Sequence, residues 1–350
     1  MPSEVTTLGR IAQLAGCSIS TVSLALRGDL RVRAQTRERI CRLAKRLDYR
    51  PNPLVSALMS YQRLGKPIDR GVNIAFITSD SMRSPWLSYR FDPGLYAGAL
   101  DCAASRGLHL EEFWLTEPGM TPGRLDQVLR ARNIHAAIIA PLPAPHGGPE
   151  LDWPGLAAVA LGYSLTDPPL HRVISHYFRS MRLALARITQ HGYRRIGFFI
   201  EEEQDRRVEY QWSGAFVAAQ LRLPPRDRVP ILICAQLSKA RRGFLQWLSK
   251  TRPDAILTGH PEEVLQWLGE EQISVPEELG VATLYHRRDR VGRMAGIDHN
   301  TALIGAAAVD FLSGMLQRNE YGVPPSPQTV LVECEWREGA TLAKKPPTRE

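Results

Sequence analysis

Apolar positions in the first fifty residues recur at helical spacing, whereas those beyond residue 70 come in short unbroken runs. Leu8, Ile11, Ala12, Leu14 and Ala15 fall on successive turns of one helix, and Gly16 stands where a helix closes in the left-handed conformation. Ser18 occupies an N-cap position ahead of Val22, Ala25 and Leu26, which share one face up to Arg27-Gly28. Two short helices around Gly16-Cys17-Ser18 predict a helix-turn-helix, whose tight turn needs a glycine. A third helix is expected over residues 34–48, with Ile40, Leu43, Ala44 and Leu47 as its apolar stripe; Pro51 and Pro53 stop it.

Beyond Gly71 the pattern changes. Strands are expected at residues 72–78, 108–115, 136–140, 195–200, 255–258 and 279–284. Helices are expected at 95–106, 122–132, 181–190, 212–220, 262–268 and 302–316. Alternation of this kind predicts doubly wound parallel α/β sheets, with ligands bound beyond the carboxyl ends of the strands.

Composition adds limits. At 350 residues, 44% hydrophobic and 23% charged, the chain reads as ordinary globular protein of two or three domains. No apolar run approaches the ~18–20 residues of a membrane span, and the first residues show no secretory signal pattern. Cys17, Cys41, Cys102, Cys234 and Cys334 are scattered and form no CxxC pair, which predicts reduced thiols in a cytoplasm. The formal charge of +8 says little until it is resolved by position. Residues 1–63 carry eleven basic and four acidic side chains, 11 − 4 = +7, so residues 64–350 hold 8 − 7 = +1. A basic head on a nearly neutral body points to nucleic acid.

Enzyme chemistry finds little support. No GxGxxG or P-loop occurs. His260-Pro261-Glu262-Glu263 lacks the second histidine of a metal motif, and Ser213-Gly214 lacks a nucleophile-elbow context. No cofactor, metal or catalytic residue is expected.

In a helix-turn-helix the second helix enters the major groove. Ile19, Ser20 and Leu24 are the positions that would meet bases, while Ser18, Thr21 and Ser23 are short hydroxyls suited to phosphate at a helix N-terminus. The runs T-L-G-R-I-A-Q-L-A-G-C-S-I-S-T-V-S-L-A-L-R-G, V-R-A-Q-T-R-E-R-I and L-D-Y-R-P-N-P-L-V-S-A-L resemble the head of the lactose/galactose repressor (LacI/GalR) family, from Thr7 to about Met59. The resemblance implies a head over residues 1–51 and a hinge helix and linker over 52–69, in which Leu58 is the wedge pushed into the minor groove. It adds Leu8, Arg27, Arg31, Thr36, Tyr49, Asn52 and Val55 to the DNA-contacting set. Three departures stand out. Ile19 and Ser20 occupy the two leading base-reading positions, where the founding member has polar residues. Leu24 replaces an arginine often found in the family, so readout must rest on Ser20 and on apolar contacts to thymine methyls. Arg33 replaces the usual Ser/Thr cap of the third helix.

I-H-A-A-I-I-A-P, H-G-Y-R-R-I-G-F, R-P-D-A-I-L-T and V-P-E-E-L-G-V-A resemble the effector core of the same family, itself similar to periplasmic sugar-binding proteins. This implies two α/β lobes over residues 70–340, joined by crossings near 163–166, 291–295 and 322–326, with a tail at 341–350. The first lobe is then expected at about 70–164 and 294–324, the second at about 165–293 and 325–340. The family's ligand anchors are replaced: Gln211 stands where an arginine is common, Gly259-His260 where Asn-Asp is, and Tyr285-His286 where an acidic pair is. Trp86, Tyr89, Tyr210, Gln211, His260 and Tyr285 are the candidates to take their place, with Arg90 suited to an anionic ligand. The resulting expectation is a cytoplasmic, homodimeric regulator, read as a repressor. It binds a pseudo-palindromic double-stranded DNA operator and responds to a small-molecule effector, a saccharide, in the cleft. The alternatives are a solute-binding protein of the periplasmic sugar type, an effector-independent DNA-binding regulator and an enzyme on an α/β scaffold.

Overall fold

The computed structural model describes residues 7–26, 29, 31–47, 49, 72–80, 93–143, 149–287 and 291–345. The chain divides into two compact units, one built chiefly on Met1–Ile68 and the other chiefly on Asp69–Glu350.

Among the described residues the first unit is three helices: α1 (Leu8–Ala15), α2 (Ile19–Leu26) and α3 (Ala34–Arg46). Thr7 caps α1 by accepting from the Arg10 amide at 3.2 Å, and Gly16 closes it at φ 59°, a conformation that suits glycine. Ile11, Ala12 and Ala15 of α1, Val22 and Ala25 of α2, and Ile40, Leu43 and Ala44 of α3 are buried together. Arg39 ties α3 back to α1 by donating to the Ala15 carbonyl at 2.8 Å, which satisfies one of the carbonyls left over at a helix end. Leu14, grouped by its spacing with the apolar positions of α1, lies 52% exposed. It sits one position off the buried stripe.

The second unit holds two six-stranded sheets. The first contains β1 (Asn73–Thr78), β2 (His109–Trp114), β3 (Ala136–Ile139), β4 (Ala157–Leu161), β5 (His171–Ser175) and β11 (Thr329–Val332), in the order β11-β5-β4-β3-β1-β2, all parallel. The second contains β6 (Ile196–Glu201), β7 (Leu232–Cys234), β8 (Ala255–Thr258), β9 (Gly280–Thr283), β10 (Ala295–Asp298) and β12 (Glu335–Arg337), in the order β12-β10-β9-β8-β6-β7. There only β12 runs antiparallel. Helices α4 (Pro93–Ser105), α5 (Pro122–Ala131), α6 (Tyr177–Gln190), α7 (Glu202–Arg206), α8 (Gln211–Gln220), α9 (Arg241–Thr251), α10 (Pro261–Glu270) and α11 (Thr301–Arg318) connect the strands. Central strands such as β3, β4, β8 and β9 are buried at every residue, which is why they read as unbroken apolar runs without alternation.

The sheets correct the expected lobe boundaries. Residues 165–175 were assigned to the second lobe, yet His171–Ser175 pairs parallel with Ala157–Leu161 inside the first sheet. Likewise Thr329–Val332 pairs with His171–Ser175, so the first lobe keeps the chain to residue 332. The three crossings therefore lie at His176, at His299-Asn300 and at Glu333-Cys334, each four or more residues beyond its expected place. Helix α6 also starts at Tyr177, four residues before its expected start. Among the described residues no helix is long and apolar enough to cross a membrane.

Helices α4 and α11 touch backbone to backbone. A Cβ on Gly98 would collide with the Ala302 carbonyl, and one on Gly305 with the Leu95 carbonyl. Gly305→Ala should therefore cost about 1–3 kcal/mol by overpacking, read as a lower denaturant midpoint. Gly269→Ala, which meets nothing within 4 Å, should cost nothing, since alanine is the better helix former. Equal midpoints for the two variants would contradict this packing.

Candidate DNA interface and ligand cleft

In the first unit the chemistry gathers at the start of α2. The Ser18 hydroxyl accepts from the Thr21 amide at 3.1 Å and lies 2.8 Å from the Thr21 hydroxyl. The Val22 amide reaches the Ser18 carbonyl at 3.1 Å, which leaves the Ile19 and Ser20 amides without an acceptor inside the helix. Those two N–H groups, two hydroxyls and the positive end of the helix dipole form a site for an anion. Ile19 is 55% exposed and Ser20 is exposed beside it, so one apolar and one polar side chain project from the same turn.

The other expected DNA contacts differ in placement. Leu24, expected to face the bases, is half-buried and packs on the three-helix core, as does Leu8. The reason is periodicity: Leu24 lies two residues beyond Val22 and one before Ala25, at the margin of the buried stripe. Tyr49 also packs there, and burial raises its phenol above the usual range. Thr36 is half-buried in the first turn of α3, and Ser23 is half-buried on α2. Arg33 precedes α3 without a side-chain cap bond. Arg31 is exposed, but its guanidinium is gripped by Asp29 through Nη2–Oδ2 at 2.6 Å and Nε–Oδ1 at 3.0 Å, so a phosphate would have to compete with that carboxylate. Arg27, Asn52, Val55 and Leu58 lie outside the described residues.

The cleft is built from the carboxyl ends of the two sheets. Past β4, Tyr163 stands with the Arg172 guanidinium 5.3 Å from its ring centre, and its hydroxyl accepts from the Gln211 amide at 2.7 Å. Arg207, between α7 and α8, donates to the carbonyls of Leu142 at 2.7 Å and Pro143 at 2.8 Å, in the segment that follows β3. Both interactions run from one lobe to the other. Tyr163, Tyr177, Trp212 and Tyr285 then form a chain of rings with centroids 6.4, 5.3 and 5.2 Å apart. Tyr285 is 38% exposed at the end of that chain.

His260 occupies a different corner. It sits at the start of α10, its amide donating to Thr258 Oγ1 at 3.0 Å, with Nε2 3.9 Å from Glu201 Oε2. Burial holds its imidazole below the usual range, against the pull of Glu263, Glu201 and Glu262. A Cβ at Gly259 would displace the end of the Gln204 side chain. Asp205, fully buried, accepts from the Ser213 amide at 3.2 Å and so fixes the first turn of α8; burial raises its carboxyl pKa.

Of the expected ligand residues, then, Gln211 and Tyr285 are brought to one wall, His260 to another, and Tyr210 lies 48% exposed in the left-handed region at φ 56°. Trp86, Tyr89 and Arg90 lie outside the described residues. Sequence reasoning missed Arg207, Tyr163, Tyr177, Trp212 and Glu201. Glu201 could have been found as the residue that ends a buried strand, whereas Tyr163 needed the unread strand β4 to place it.

Two family models match: bacterial regulatory proteins, lacI family, over residues 7–52, and a periplasmic binding protein-like domain over residues 185–342. A search of the curated proteins found none that matches. Similar solved structures include a transcriptional regulator CelR–cellobiose complex, at 18% identity and a TM-score of 0.56, covering 96% of this chain and 99% of that one. The lac repressor dimer bound to operator and the anti-inducer ONPF is similar at 18% identity and a TM-score of 0.54, covering 97% and 100%. A lacI-family regulator from Weissella paramesenteroides with bound glucose is similar at 12% and 0.55, covering 78% and 98%. At these identities the likeness speaks to the fold. With the head and the core each matched in order along one chain, this protein belongs to the lacI family of bacterial regulatory proteins, a DNA-binding transcriptional regulator with a ligand-binding domain.

Proposed function

We propose that the protein is a cytoplasmic repressor that binds a pseudo-palindromic operator as a homodimer and releases or grips it in response to a saccharide in the interlobe cleft. Residues 1–51 act as the reading head, residues 52–69 as the hinge, and no chemical step is catalysed. The observation that carries the reading is the Ser18-capped start of α2, which offers two free amides to phosphate beside the outward Ile19 and Ser20. One such head reads one half-site, and a two-fold dimer reads two. A buried imidazole kept neutral, the Gln211 amide and the Tyr163 and Tyr285 rings support an uncharged ligand, since Arg207 is already bonded to the Leu142 and Pro143 carbonyls. The cellobiose and glucose bound by similar structures favour the same class.

Selection from random duplexes should yield a two-fold symmetric site; a purified chain that enriches no sequence would refute the reading. On that site Thr21→Ala should weaken binding about fivefold, from loss of roughly 1 kcal/mol of phosphate bonding, and equally on half-site variants. A loss confined to one base sequence would show that Thr21 reads bases. Leu58→Ala should weaken the selected site by about tenfold or more, since without the wedge the kinked DNA loses its support. Unchanged affinity would remove Leu58 from the mechanism.

For the cleft, a saccharide at a hundred times its Kd should stabilise the core by about 2.7 kcal/mol. A thermal-shift panel including glucose and cellobiose reads this directly, and Gln211→Ala should abolish the shift of any hit. Shifts given only by anionic compounds would replace the saccharide by an acid.

A further inference from the structure

The three crossings between the lobes are not independent segments. Ser175 ends β5 at the first crossing, His299 opens the second, and Cys334 lies in the third. Their side chains meet: Ser175 Oγ is 2.6 Å from His299 Nδ1 and 2.9 Å from Cys334 Sγ, and Cys334 Sγ is 3.4 Å from His299 Nδ1. Ser175 is 1% and His299 4% exposed.

The protons can be assigned. His299 Nε2 lies 2.8 Å from the Leu284 carbonyl, which can only accept, so Nε2 carries a proton, and in the neutral ring Nδ1 is then the acceptor. Nδ1 has one lone pair. The shorter contact gives it the Ser175 hydroxyl proton, and the Cys334 thiol then donates to Ser175 Oγ. The chain therefore runs one way, from Cys334 through Ser175 to His299 and on to Leu284. Burial pushes the Cys334 thiol up to about 11, in keeping with a thiol that stays protonated as a donor. Only the Ser175 proton reaches Nδ1; the thiol proton stops at Ser175 Oγ.

We propose that Ser175, His299 and Cys334 form a coupling node that makes the three crossings move as one and joins them to the cleft wall at Leu284-Tyr285. Backbone and side-chain bonds reinforce the pairing: His176 N–H donates to the Val332 carbonyl at 2.9 Å, and Asn300 Nδ2 to the Glu333 carbonyl at 2.9 Å. Tyr285 packs against His299 at a tilt of 55°, with centroids 4.9 Å apart, so displacement of that ring moves the node. His299 is a positioning residue, since it acts through Tyr285 and the crossings. The consequence for regulation rests on the reading of the cleft as a ligand site, but the node itself does not.

The test is hydrogen–deuterium exchange on the full chain, without ligand or DNA. Ser175→Ala alters only the first crossing, yet it should speed exchange about tenfold or more at residues 299–300 and 333–335 as well as at 176, while the β3 and β8 amides keep their protection. Cys334→Ala should give the same three-part pattern, and Cys334→Ser, which keeps a donor, should restore it toward wild type. Acceleration confined to the altered crossing, or none at any, would overturn the node and leave three separate packing contacts. If Ser175→Ala fails to fold, the Cys334 pair carries the comparison alone. A protein that bound no saccharide would leave these rates as they are, so failure of the node and failure of the ligand reading are distinguishable.

Discussion

In a parallel sheet every strand leaves at the same edge, so the chain must return on a face before it can add another strand. That constraint places nearly all the chemistry of the core. It sends Thr78, Leu142, Tyr163 and Ser175 to one edge of the first sheet, and Glu201, His260, Tyr285 and His299 to one edge of the second. It also explains why the strands can be poor in pattern and still secure: with helices on both faces, Ala136–Ile139 or Gly280–Thr283 need only be small, apolar and buried. Most residues at the strand ends are themselves buried, Thr78, Leu142, Ser175, His260 and His299 among them.

The head obeys a different constraint. Three short helices bury little surface, so nearly every apolar side chain that can turn inward does so, and Leu24 goes half-way to the core at the expense of facing outward. What remains on the outside of α2 is Ile19, Ser20 and the capped amides. The charge that draws such a unit to DNA is carried mostly by its other side chains, and it acts at range without specifying sequence. Arg31 shows the limit of counting charges, because its guanidinium is already paired with Asp29. Affinity and readout thus come from separate groups, the first spread over the surface and the second confined to one helical turn.

Much of this was legible in the residues. The helix-turn-helix followed from spacing, one glycine and one serine, and Ser18 proved to be the cap. The strands read correctly were those with large apolar side chains or clear runs, such as Ala255–Thr258. The strands not read are instructive. Ala157–Leu161 is small and featureless, His171–Ser175 begins with His-Arg, and Thr329–Val332 is an edge strand with exposed residues. Pairing in a sheet is decided by neighbours far away in sequence, and these three segments depend on one another for their assignment. Missing them displaced the first and third expected crossings, as missing Ala295–Asp298 displaced the second, and with them went the Ser175–His299–Cys334 contact, which no local pattern announces. The cleft partners were hidden for the same reason: Gln211 is visible as a substitution, but its bond to Tyr163 joins residues 48 positions apart.

The cleft's own bonds bear on how a ligand would act. Gln211 already donates to Tyr163, and Arg207 already donates to Leu142 and Pro143, so the two lobes are held together by groups of the chain itself. A polar ligand entering between them exchanges these bonds for its own, and exchange of one hydrogen bond for another contributes little net free energy. The gain must then come from aromatic area at Tyr285 and from the unsatisfied His260 Nε2, which sit on different walls. A ligand reaching both would have to span the cleft and shift Tyr285 against His299. Affinity and signal would then share one contact, for the ring that supplies the apolar surface is also the ring packed against the residue that joins the crossings.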